Sequence, residues 1–251
     1  MRTPYAQSRR IRESCGIYVG RFVARATRAS RTNGLSRDEI LRAALAVADG
    51  GGFDSLSMRN LAQQIGTAPM SLYRHVANKE DLLDEMIDIV FGEVDFPTDG
   101  DWRSAMRHRA MSMHDALQRH PWAIGQMESR RRAGPANLRY HNDSMACLRE
   151  DAGFSFPMAV HAYSVMDSYI YGFAQLEKGL PGDVPAEAEI RRDAVLDANP
   201  DYAERYPYLA LIPIELRKLN YDYSQEFEFG LDLILDGIER IRDGGSSSGK
   251  R

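Results

Sequence analysis

Ile65–Lys79 reads IGTAPMSLYRHVANK, and the fold turns on what its Tyr73-Arg74-His75 triplet does. Gly66 ends the preceding helical stretch, Met58–Ile65, because glycine takes a left-handed turn without steric cost. Thr67 is a candidate cap for the next helix, with Pro69 tolerated in its first turn. That helix has two inward positions, Leu72 and Val76. Pro69, Met70, Ser71, Tyr73, Arg74 and His75 point elsewhere. A helix of about eight residues behind a glycine turn, with so little apolar surface, is the helix-turn-helix arrangement.

The flanks agree. "SRDE" at Ser36–Glu39 is a capping box that opens a helix with Ile40, Leu41, Ala44, Leu45, Val47 and Ala48 inward. "GGG" at 50–52 stops it. Ser57 caps the second helix, with Leu61, Ala62 and Ile65 inward. Asn78 caps a fourth, with Glu80 and Asp81 at its positive end, and "DFPTDGD" breaks it after Phe91.

The chemistry of the outward side chains suits a major groove, which admits one such helix. Arg74 can donate two hydrogen bonds to guanine, and Pro69 and Met70 offer apolar surface to a thymine methyl. Ser71, Tyr73 and His75 suit phosphate or sugar, and Lys79 is a point charge for phosphate. Arg59 reaches beside the groove. Any one of these could be a packing residue or a solvated charge; the set behind one glycine turn argues for contact.

Charge is divided along the chain. Residues 1–79 hold 13 Lys/Arg and 5 Asp/Glu, and residues 80–251 hold 19 and 31, within a net charge of −4. A basic front and an acidic rear imply a polyanionic partner for the front alone. Residues 1–34, with eight Arg and only Glu13 acidic, read as a disordered basic tail. Its composition also fits a minor-groove arm or a transit peptide. Two cysteines, Cys15 and Cys147, form no metal or redox motif, and no disulfide framework is expected. That cysteine usage makes a reducing cytoplasm the expected home, and no apolar run approaches the roughly 18 residues of a membrane helix.

The rest reads as longer helices over Asp101–Arg119, Ala123–Ala133, Pro135–Asp151, Met158–Lys178, Tyr202–Leu211 and Ser224–Arg242. A mobile loop is expected at 179–200 and a flexible tail at 244–251. The fold class is all-α: a three-helix DNA-binding domain over 35–80, then a larger helical domain over 81–243. No nucleophile–histidine pair, phosphate loop or HExxH motif is present, so no catalytic residue, metal or cofactor is expected and the chain reads as a non-enzyme. His108, His114, His120, His141 and His161 have no ligand spacing.

"SMRNLAQQIGTAPMSLYRHVANKEDLLDEM" resembles the DNA-binding segment of the TetR/AcrR family of bacterial repressors. Ser57, Leu61-Ala62, Gly66, Leu72-Tyr73-Arg74-His75-Val76, Lys79 and Leu82-Leu83 stand in register with its pattern over about residues 36–91. The branch of the tetracycline repressor is nearest in "LAQ" and "LY-x-HV-x-NK", and "FEFGLDLILDGIE" resembles its last helix. The resemblance implies operator contact by Arg59, Pro69, Met70, Ser71, Tyr73, Arg74, His75 and Lys79. Arg74 replaces an aromatic of that branch and Met70 a proline, so the resemblance carries over the docking and not the operator sequence.

The resemblance also implies a homodimer released from double-stranded operator DNA by a small-molecule inducer. The dimer stripes are Val160, Tyr163, Asp167, Ile170 and Ala174 on one helix and Phe227, Leu231, Ile234 and Ile238 on the last. The inducer cavity it implies is assigned to Arg109, Met113, Trp122, Met127, Met145, Tyr163 and Met166. Asp95 and Met127 stand where the tetracycline branch has ligand-holding histidines, which argues against tetracycline. The competing readings are a nonspecific DNA-binding protein and a helical small-molecule-binding protein without operator specificity.

Overall fold

The sequence builds eleven α-helices and no strand among the residues described in this computed structural model, which are 35–97, 100–127, 132–179, 184–199 and 201–247. The expected disordered tail over 1–34 lies outside them.

Helix α1 (Arg37–Gly51) starts at the capping box: Glu39 N donates to Ser36 Oγ at 3.2 Å, and Ser36 N donates to Glu39 Oε2 at 2.9 Å. The Ser36 N–H and then the Ser36 hydroxyl, which donates to Glu39 Oε2 at 2.9 Å, hold the Glu39 carboxyl below its ordinary value. Ile40, Leu41, Ala44 and Ala48 are its buried face. Helix α2 (Met58–Ile65) is capped by Ser57, which accepts from Asn60 N at 3.1 Å, and buries Leu61 and Ala62. Gly66 then takes φ 76°, ψ 36°.

Helix α3 (Pro69–Leu72) is shorter than the sequence suggests. It is one α-turn, continued by turns through His75, whose N–H donates to Leu72 O at 2.8 Å. Its cap is Ala68, not Thr67, and no side chain caps it. Pro69 at the first helical position has no N–H, which removes one donor a cap would serve. Helix α4 (Lys79–Gly92) begins at Asn78, which accepts from Asp81 N at 2.9 Å, and packs on α1.

Helix α5 (Trp102–Arg119) crosses the rear of the molecule. Where a helix was expected over Ala123–Ala133, a short 3-10 turn, Pro121–Ala123, is followed by irregular turns to Met127, and residues 128–131 lie outside the described residues. Helix α6 (Pro135–Ala146) packs on α4 and runs into a π-helical turn, Cys147–Asp151. Helix α7 (Phe156–Glu177) is followed by α8 (Val184–Ala198), so the segment expected as a loop over 179–200 is largely helical. Its Ala, Glu, Arg and Leu are good helix formers, and α10 supplies the packing partner that the sequence alone did not reveal. Helix α9 (Tyr202–Arg205) leads to α10 (Pro207–Lys218), and α11 (Glu226–Ser247) closes the chain. That last helix runs five residues past Arg242, through part of the expected flexible tail.

Helices α5, α7 and α11 pack against one another. The stripe expected to join two protomers lies here, inside one. Ile170, Phe227, Leu231 and Ile238 are buried within the chain, and Asp167 pairs with Arg109. The periodicity was read correctly as an apolar face, but the chain's own α5 covers it. Val160 of the expected stripe stays exposed, Tyr163 and Ile234 are half-buried, and Val165, Phe229, Leu233 and Ile241 on other faces of the same helices are exposed as well. Outside the seam, Arg107 binds Glu228 and Asp232, and Arg103 binds Asp236 and Glu239. Gly230 lets α11 approach α7: a Cβ there would stand 2.2 Å from Tyr169 Oη.

Candidate functional site

The reading surface is assembled on α2, α3 and the start of α4. Leu72 and Val76 are buried, at 0% and 2% exposure, and pin the short segment to the core. Met70 is 76% exposed and Tyr73 47%. Arg59, Pro69 and Arg74 are exposed as well, and Ser71, His75 and Lys79 half-buried. The eight expected contact residues therefore share one end of the molecule with none consumed by the core. Among the described residues, Arg74 Nη2 reaches Ser71 Oγ, at 3.4 Å. Lys79 Nζ sits 4.1 Å above the ring of Phe53.

A residue the sequence reading missed braces this surface. Arg37 of α1 donates from Nη1 to the His75 carbonyl at 2.8 Å, and from Nε to Glu85 of α4 at 2.7 Å. It thereby ties the end of the α3 segment to two other helices, and Glu85 raises the affinity of its guanidinium for the proton. A lone Arg in a first helical turn carries no sequence signal for that role.

The second cluster is internal. Arg109 of α5 is fully buried and ion-paired with Asp167 of α7. The Tyr140 ring lies 4.3 Å from its guanidinium carbon and the Tyr163 ring 5.1 Å. Burial opposes the Arg109 charge, but the surrounding Tyr140, Asp167 and Tyr163 hold the group above its ordinary value. Burial pushes the Tyr140 and Tyr163 hydroxyls up and His141 down. His141 Nδ1 is hydrogen-bonded to the Tyr163 hydroxyl. Arg109 Nε and Nη1 and the Tyr140 hydroxyl are buried without a hydrogen-bond partner among the described residues. A buried donor without an acceptor costs about 1–3 kcal/mol.

Of the residues assigned to a cavity from sequence, Arg109 and Tyr163 meet here. Met113 and Met166 are fully buried and Met145 half-buried in the same core. Trp122 does not join them through its polar atom: its Nε1 donates to Asp49 of α1 at 2.7 Å. Met127 is buried beyond the 3-10 turn. Tyr140 and His141 were missed, since nothing in the spacing of α6 marks them, and Asp167 was assigned outward. Asp95 is a surface group, 2.9 Å from His108. Among the described residues no cluster of His, Cys, Asp and Glu fits a metal, and no helix is long and apolar enough to cross a membrane.

Known proteins share this arrangement. The model of "Bacterial regulatory proteins, tetR family" matches residues 40–86, and that of "Tetracyclin repressor-like, C-terminal domain" matches 96–242. The HTH-type transcriptional repressor DrrR1 of Streptomyces coeruleorubidus is 33% identical over 219 residues, covering 82% of this chain and 77% of its own. The class D tetracycline repressor protein of Escherichia coli is 39% identical over 213 residues, covering 82% and 89%. Among solved structures, ActR of Streptomyces coelicolor in complex with actinorhodin superposes with a TM-score of 0.65 at 28% identity, over 82% of this chain and 97% of that one. Its apo form superposes at 0.68 and 27% identity, over 86% and 100%. The two matched segments take in the helix-turn-helix and nearly all of the helical rear, and the chain belongs to the tetR family of bacterial regulatory proteins.

Proposed function

We propose that this chain is a ligand-responsive transcriptional repressor that binds double-stranded operator DNA as a homodimer and acts in the bacterial cytoplasm by binding rather than by catalysis. The observation that carries this reading is the one-turn α3, pinned by Leu72 and Val76, with its remaining side chains turned outward. In this reading Arg74, Met70 and Pro69 face base edges. Ser71, Tyr73, His75 and Lys79 hold backbone, and Arg59 reaches in from α2. The DNA-binding unit is 35–80 and the effector and dimer unit 81–243.

The dimer forms on the exposed apolar faces of α7 and α11, through Val160, Val165, Phe229, Leu233 and Ile241. Two-fold pairing sets two reading surfaces on half-sites about one helical turn apart. The effector is a small molecule that enters beside Arg109, Tyr140 and Tyr163, where buried donors lack acceptors. Met113, Met145 and Met166 supply adaptable apolar wall. Relatives with ligands of this kind are ActR, solved with actinorhodin, and the tetracycline repressors. Release is a population shift: the effector favours one arrangement of α4, which starts at Lys79 in the reading surface and packs on α5 and α6.

Enrichment of duplexes from a random-sequence pool, followed by affinity measurements at two salt concentrations, tests the reading. A repressor enriches a two-fold-symmetric site and keeps a large preference for it at both concentrations. A protein that merely coats DNA enriches nothing, and its affinity falls with salt equally on all duplexes.

A further inference from the structure

The C-terminal end of α1 meets the turn that follows α5, and the contact is built on a histidine between two carboxylates. Asp49 Oδ1 lies 2.7 Å from His120 Nδ1 and accepts from Trp122 Nε1 at 2.7 Å. The other ring nitrogen, His120 Nε2, faces Glu93, at 3.2 Å and 3.3 Å from its two oxygens. Glu93 caps the end of α4. Arg119, one residue earlier, places Nη2 2.8 Å and Nε 3.1 Å from Glu93 Oε2. His120 itself is 7% exposed. The charged groups facing it are thus Asp49 from α1, Glu93 from α4 and Arg119 from α5, with the Trp122 indole beside them.

A neutral imidazole has one N–H and one lone pair, and an ionised carboxylate can only accept. Both contacts are hydrogen bonds at the same time only when the ring carries two protons. Protonated, His120 and Arg119 meet Asp49 and Glu93 as two cations and two anions. Neutral, the buried His120 ring turns a lone pair toward a carboxylate and leaves one negative charge without a cation beside it, on side chains about a third open to solvent. One of its partners belongs to the reading head and the other to the helix that leaves it.

We propose that protonated His120 latches the reading head, through Asp49, to the end of α4 and the turn after α5, and that operator affinity therefore depends on its protonation. This rests on the repressor reading given above. A latched head has less orientational freedom to lose when both heads of a dimer seat on DNA. Affinity is accordingly higher with the latch closed and falls when His120 loses its second ring proton.

The test uses the full chain, a duplex enriched by the wild-type protein, and the 15N-indole resonance of Trp122, assigned with Trp122→Phe. In the wild type, affinity drops about fivefold or more between about pH 6 and pH 8 while the indole resonance titrates with the same midpoint. His120→Gln has no proton to lose there: its indole resonance is flat, and its affinity keeps only the smaller pH dependence that His75 brings at the DNA. Asp49→Asn removes one anion and moves the midpoint down, and it keeps the test open if His120→Gln does not fold. A wild-type indole resonance that stays constant, or a His120→Gln protein with the wild-type pH profile, overturns the latch. A duplex bound equally tightly at every pH overturns it while leaving the repressor reading intact. If no duplex is enriched but the indole titrates and the titration is lost in His120→Gln, the repressor reading fails and the latched junction stands.

Discussion

Arg37 Nη1 donates to the carbonyl of His75 at 2.8 Å, which joins the first turn of α1 to the end of the α3 segment. The α3 segment is too short to hold itself, and a nucleated turn gains little without tertiary support. Replacing Arg37 by Ala should weaken operator binding several-fold while lowering stability by less than about 1 kcal/mol, because its ion pair with Glu85 is largely solvated. Anisotropy titration beside a thermal melt separates the two effects; an unchanged affinity would remove Arg37 from the brace.

Arg74→Ala should reduce affinity for the enriched duplex by about 1–3 kcal/mol and flatten the preference at one base position. Melting temperature and dimer mass should not move, since the side chain is exposed and, among the described residues, reaches Ser71. Loss of dimer in sedimentation would show that the residue serves the fold.

Breaking the Arg109–Asp167 pair from one side leaves a buried charge alone. Asp167→Asn and Arg109→Met should each destabilise by about 3–5 kcal/mol, and the double variant by less than their sum. A double-mutant cycle from urea melts checks this, and additivity would mean that the two groups are independently solvated.

Gly230→Ala should cost about 1–3 kcal/mol through the clash with Tyr169, whose hydroxyl otherwise donates to the Glu226 and Phe227 carbonyls at 3.1 Å. The cost should shrink in a Tyr169→Leu background. An equal cost in both backgrounds would clear Tyr169 as its cause, because helix propensity favours alanine over glycine.

Asp101 caps α5, and its hydrogen bonds from Ser104 hold the carboxyl below the ordinary value of 3.8. A lowered folded value means a stabilisation that is complete above the unfolded value and disappears as pH falls through the folded one. Asp101→Ala should cost about 1 kcal/mol near neutrality, and the gap to wild type should close on acidification below that window. Melts at a series of pH values read this directly; a gap that persists in acid would assign the loss to packing.

The DNA-reading end was legible because its signals are local. Ser36, Ser57, Gly66 and Asn78 each act within four residues, so cap and turn chemistry located α1, α2 and α4 closely. The rear was legible in period but not in partner. Phe227, Leu231 and Ile238 showed an apolar face, but whether that face meets α5 or a second chain is a tertiary fact. Helix α8 was hidden for the same reason: with Pro185 near its start and acidic residues throughout, it looks like a loop until α10 is placed beside it. Arg109 could be singled out only by resemblance, and its partners Tyr140 and Asp167 lie 31 and 58 positions away with no pattern linking them. The Asp49–His120 contact spans 71 positions and was invisible for the same reason.

The short α3 has a consequence for divergence. Only Leu72 and Val76 of that segment belong to the core, so Met70, Tyr73 and Arg74 can be exchanged without disturbing what holds the protein together. With these side chains on DNA as proposed, duplicated copies of such a gene are free to acquire new target sites one residue at a time. Each step is constrained by what it does to gene control, hardly at all by folding.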